Sequence, residues 1–60
     1  MKITYLKPED IGRAVVYEPY PGAKLEDGTI KAWNDSFVFV VYDHTMRGIA
    51  TPPNKLQFLS

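Results

Sequence analysis

Apolar and polar residues alternate over short distances. No stretch of eleven or more positions carries apolar side chains at i, i+3, i+4 and i+7 without an intervening glycine or proline. The pattern therefore predicts strands. Arg13 to Tyr20 is rich in β-branched and aromatic residues until Pro19 and Pro21 end its pairing. Thr29 to Trp33 reads as a second strand, Phe37 to Tyr42 as the strongest, Ile49 to Thr51 as a short fourth, and Gln57 to Leu59 as a closing one. Between them lies dense turn chemistry: a helical turn over Pro8-Glu9-Asp10 that stops at Gly12, a long loop from Tyr20 to Gly28, Asn34-Asp35-Ser36, and the kinked Pro52-Pro53-Asn54-Lys55-Leu56.

Phe37-Val38-Phe39-Val40-Val41 is apolar on both sides of its strand, so both of its faces need cover. Which face is the core depends on the hairpin register, because a one-residue slip exchanges the faces. With a two-residue Asn34-Asp35 loop, Ile30 and Ala32 share a face with Phe37, Phe39 and Val41. With a three-residue loop they share one with Val38, Val40 and Tyr42, and Trp33, Phe37, Phe39, Val41 and Lys31 lie opposite. The second register is preferred, since it places compact β-branched residues where a small core has least room. It also leaves an aromatic outer face. Either the fourth strand, Ile3 to Leu6 and the long loop cover that face, or it is an exposed surface for a partner.

Five short strands in under 50 residues are too few for a two-sheet sandwich but can curl into a small barrel that hides most strand edges. The motifs Gly12-x-x-Val15-x-Tyr17, Asp27-Gly28-x-Ile30, Asn34-Asp35-x-x-Val38-Phe39-Val40-x-Tyr42 and Pro53-x-x-Leu56 follow one another in a characteristic order. In that order and spacing the chain resembles the SH3-like barrels of Tudor and KOW type, and among them small proteins encoded by bacteriophages. The resemblance implies an all-β, five-stranded barrel in one domain, residues 1–60, with a helical turn before strand one and a 3₁₀ turn before the last strand. Tudor-type modules enclose a methylated cation among rings at their loops. Here only Tyr20 and Trp33 fall at strand ends, no acid is placed to complete a cage, and Tyr17 and Tyr42 read as core rings.

The chain has 60 residues, 45% of them hydrophobic, with seven basic and seven acidic side chains and no cysteine. A chain this size buries only about 60% of its unfolded surface, so the core is thin and association with a partner is physically sensible. The lack of cysteine excludes disulfides and thiolate metal sites, and one histidine excludes imidazole clusters. Zero net charge leaves no basic footprint for nucleic acid. Met1 to Leu6 is too short and polar to read as a signal peptide or membrane span, and the reading is a soluble, cytoplasmic protein.

Asp43-His44 reads as a solvated turn, and the acid pairs Glu9-Asp10 and Glu26-Asp27 as turn and cap residues. Ser36 and Ser60 have no base at motif spacing. Neither catalysis nor any cofactor or metal is expected. The expected function is binding of a protein partner, or of a second copy, with Trp33, Phe37 and Phe39 as anchors, Lys31 at the rim and Tyr20 on a loop that closes over the partner. The rival is a nucleic-acid surface that stacks bases on Trp33 and Phe39 beside Lys31, with Arg13 or Arg47 on phosphate.

Overall fold

The computed structural model describes residues 1–59. Five strands, β1 (Ala14–Tyr17), β2 (Glu26–Trp33), β3 (Val38–Tyr42), β4 (Ile49–Thr51) and β5 (Leu56–Phe58), form one antiparallel sheet in the order β4-β3-β2-β1-β5. The all-β class and the strand count agree with the sequence pattern. The sheet is not closed, because β4 and β5 are its edges. Single 3₁₀ turns stand at Ile3–Tyr5, Pro8–Asp10 and Pro53–Lys55. The second and third were expected; the first falls in a segment expected only to cover the sheet.

β2 begins at Glu26, so Asp27-Gly28 lies inside a strand instead of ending the loop. Gly28 stands opposite Val15 on one side and Tyr42 on the other, and the missing side chain lets β3 approach closely. The sheet curls about its buried face, and the molecule measures 29 × 23 × 22 Å overall.

The hairpin follows neither of the two simple registers. Ile30 pairs with Val40, Ala32 with Phe39 and Trp33 with Val38, which leaves Lys31 as an extra residue in a bulge. The four-residue connection Asn34 to Phe37 is an Asx turn, with Asn34 Oδ1 accepting the N–H groups of Ser36 and Phe37, both at 2.8 Å. Val38, Val40 and Tyr42 face the core, as preferred from the sequence. The bulge, however, moves Trp33 onto the same face as Val38, and Ala32 joins Phe39 outside.

Inside the curl lie Val15, Ile30, Val38, Val40, Tyr42 and Leu56, all buried. Met1, Ile3, Leu6, Tyr17, Trp33 and Phe58 pack around them. The N-terminal segment thus covers the inner face and not, as expected, the outer face, and the Met1 ammonium donates to the Leu56 carbonyl at 3.4 Å.

Candidate functional site

The turn that carries Tyr20 is built from local chemistry. Pro21 presets its own φ, Gly22 takes φ 84°, and the Ala23 N–H donates to the Tyr20 carbonyl at 3.0 Å, the pattern of a type II turn. The loop is also tied to the third 3₁₀ turn. The Glu18 N–H donates to the Lys55 carbonyl at 3.0 Å, the Lys55 ammonium donates to the Pro19 carbonyl, and the Glu18 carboxylate accepts the Gly22 N–H at 3.3 Å. The result is a standing groove of about 300 Å³ on the outer side of β1 and β5. Val16, Tyr20, Pro21 and Leu25 supply its apolar surface, and Glu18, Asn54, Lys55 and Gln57 its polar groups. Tyr20 is 65% exposed and Leu25 54%.

Of the other candidate residues, the fold brings Phe39 and Lys31 together and separates the rest. Trp33 is half-buried against the core, and its remaining face lines a shallow apolar hollow with Pro8, Ile11 and Ala32. Phe37 sits at the hairpin turn with much of its ring in solvent. Phe39 is half-buried on the outer face between Ala32 and Ala50. The stem of Lys31 runs beside it: a β-carbon on Gly48 would lie 3.0 Å from Phe39 Cβ and 3.3 Å from Lys31 Cδ. Trp33, Phe37, Phe39, Lys31 and Tyr20 therefore do not form one surface.

A second arrangement was not read from the sequence. Tyr17 pairs with Glu26 at the open end of the core face, and Tyr42 follows on the neighbouring strand. Their rings meet at 6.2 Å with a 54° tilt. The turn from Tyr42 to Thr45 is held by the Thr45 N–H on the Tyr42 carbonyl at 3.0 Å and by the Tyr42 N–H on Thr45 Oγ1 at 2.9 Å. It lays the His44 ring over Tyr42 at 6.0 Å, nearly parallel. Tyr17, Tyr42 and His44, with Glu26 and Ile49, line a pocket of about 240 Å³. Burial raises the pKa of the Tyr42 hydroxyl, with smaller upward contributions from Tyr17 and Glu26, against the lowering effect of its 2.8 Å hydrogen bond with Thr51. Thr51 Oγ1 donates to the Ile49 carbonyl at 3.1 Å, so the tyrosine hydroxyl donates to it. The available signal was Gly28: it stands opposite Tyr42 on β3 and two positions from Glu26, the partner of Tyr17 on β1, so no side chain there fills the space between the rings.

The basic side chains are spread out. The Arg13 guanidinium pairs with Asp10 at 2.9 Å and lies 3.8 Å from the Phe58 ring centroid. Asp10 also accepts the Lys7 N–H at 2.9 Å, and this bond first, then Arg13, hold its carboxyl below the usual range. Lys2 lies over Tyr5 at 5.6 Å. Among the described residues, no three His, Asp or Glu side chains gather where they could hold a metal ion. Ser36 lies in the Asx turn, and Ser60 lies outside the described residues. No helix among the described residues is long and apolar enough to cross a membrane. Comparisons with protein-family models, curated proteins and solved structures found no match for this chain.

Proposed function

We propose that the chain is a non-enzymatic interaction module of the SH3-like type, phage-encoded and acting in the host cytoplasm. It receives an extended segment of a partner protein in the groove beneath Tyr20. The strand order, the long β2 bulged at Lys31 and the 3₁₀ turn before β5 support the fold reading. The observation that carries the function is the standing groove. Tyr20 and Pro21 are held beside Val16 by a turn, and the preceding Glu18 and Pro19 by contacts to Lys55, so little ordering entropy is lost on binding. Asn54 and Gln57 offer amides to a peptide backbone along the rim.

A peptide selected from a random display library on this chain, then titrated into the Tyr20→Ala variant, tests the reading. Tyr20 is exposed, so the variant should melt as the parent does, while affinity should fall about tenfold or more, as for an interface anchor. Equal affinity for the variant would remove the groove from consideration.

A second reading rests on the outer face. Phe39 and Val41 lie there among Ala14, Thr29, Ala32 and Ala50, small residues that let another sheet approach closely. Self-association through this face would be concentration-dependent and lost in Phe39→Asp, as read by solution mass.

A further inference from the structure

We infer that β4 is an association edge for a second copy of this chain. Two copies pair β4 against β4, antiparallel about a two-fold axis at Ala50, and their sheets become continuous. The backbone carries the argument. The Asn34 N–H donates to the Phe37 carbonyl at 3.0 Å, so Phe37 turns that carbonyl toward β2. Backbone direction alternates along an antiparallel strand, so Phe39 also faces β2, while Val38 and Val40 face β4 and bond their partners Thr51 and Ile49. Ala50, opposite Phe39, is left with its N–H and carbonyl turned outward. No hydrogen bond among the described residues takes either group, and Ala50 is exposed.

The two edges of the sheet differ. At β5 the bonds from the Glu18 N–H to the Lys55 carbonyl and from the Leu59 N–H to the Ala14 carbonyl turn Leu56 outward, and the Met1 ammonium takes its carbonyl at 3.4 Å. β4 has no such cover. Gly48-Ile49-Ala50-Thr51 holds no charge, no proline and no bulge, the devices that keep an edge from pairing. A two-fold at Ala50 makes this edge its own complement. Each Ala50 N–H meets the other copy's Ala50 carbonyl. Each Gly48 N–H meets the Pro52 carbonyl, which accepts the Lys55 N–H at 3.2 Å and keeps a second lone pair. Methyl groups meet at the axis, no like charges face each other across the seam, and zero net charge leaves no long-range repulsion between copies. The groove beneath Tyr20 lies toward the other edge, so the pair presents two grooves to a partner; that use rests on the groove reading, whereas the pairing does not.

Sedimentation equilibrium and NMR of the full chain over a concentration series test the pairing. A seam this short belongs to the weak class of interface, so a dissociation constant on the order of 0.1–1 mM is expected. In the parent chain the amide signals of Gly48 to Thr51 should move with concentration while those of the groove stay still. Ala50→Lys and Ala50→Asp each set like charges at the axis and should each weaken association about fivefold or more. An equimolar mixture of the two should restore it, and salt should weaken the mixture. Ala50 is exposed at an edge, so both variants should keep the parent's spectrum away from β4. A chain that stays monomeric to about 2 mM, concentration-dependent shifts only outside β4, or folded variants that do not recover on mixing would overturn the assignment. So would association that survives Ala50→Lys and is lost in Phe39→Asp, which would belong to the outer face. Tyr20→Ala should leave the sedimentation unchanged, which separates this outcome from that of the groove.

Discussion

At Gly28 a β-carbon would lie 2.5 Å from Val40 Cγ1, 2.8 Å from the Val41 carbonyl oxygen and 3.0 Å from Tyr42 Cδ1. One of these neighbours is backbone and cannot rotate away. Gly28→Ala is therefore expected to cost about 2–3 kcal/mol, a large share of what a chain this size holds, and a lowered urea midpoint would show it. Asp10 predicts an acid response. Its folded pKa is depressed, so its contribution is present above the unfolded value of about 3.9 and is lost as pH falls through the folded one. Asp10→Asn should flatten stability against pH below about 4, measured by thermal melts; an unchanged slope would mean the Lys7 and Arg13 bonds are not maintained in solution.

The bulge at Lys31 sets the character of the central hairpin. It carries Trp33 to the inner face, where the ring packs on the core, and leaves Phe39 outside. Trp33 emission should accordingly be blue-shifted and should not move on dilution. Trp33→Ala should lower stability by about 2–3 kcal/mol, less than a fully buried aromatic would. A red maximum, or a shift on dilution, would return Trp33 to a surface role. Val38, Val40 and Tyr42 were legible as core because they set compact β-branched residues in a small interior; alternation only groups them on one face, since Phe37 to Val41 is apolar on both. The bulge was not legible. An Ile-Lys-Ala-Trp run carries the same pattern with or without one extra residue, and pairing with β3 decides between them.

For the molecule as a whole, the groove and the ring pocket depend on different contacts. The groove is held by the β1–β2 loop against the turn before β5, whereas the pocket is held by the β3–β4 turn against β1 and β2. Phe39→Asp touches neither, so it should leave peptide binding at the groove intact, remain folded and abolish any self-association through the outer face seen by sedimentation. Loss of folding would instead make Phe39 part of the structural core.

Residue order alone determined the all-β class, the number of strands, the turns at Pro8 and Pro53 and most of the buried set. Each of these follows from short-range physics: side-chain alternation, proline and glycine backbone restrictions, and the absence of a helical apolar stripe. Tertiary structure decided the open sheet edges, the tethering of the Tyr20 turn to Lys55, and the meeting of Tyr17, Tyr42, His44 and Glu26. These contacts join residues far apart along the chain, such as Tyr17 with Tyr42 and Pro19 with Lys55. No local rule specifies them, because they exist only once the strands have paired in the order β4-β3-β2-β1-β5.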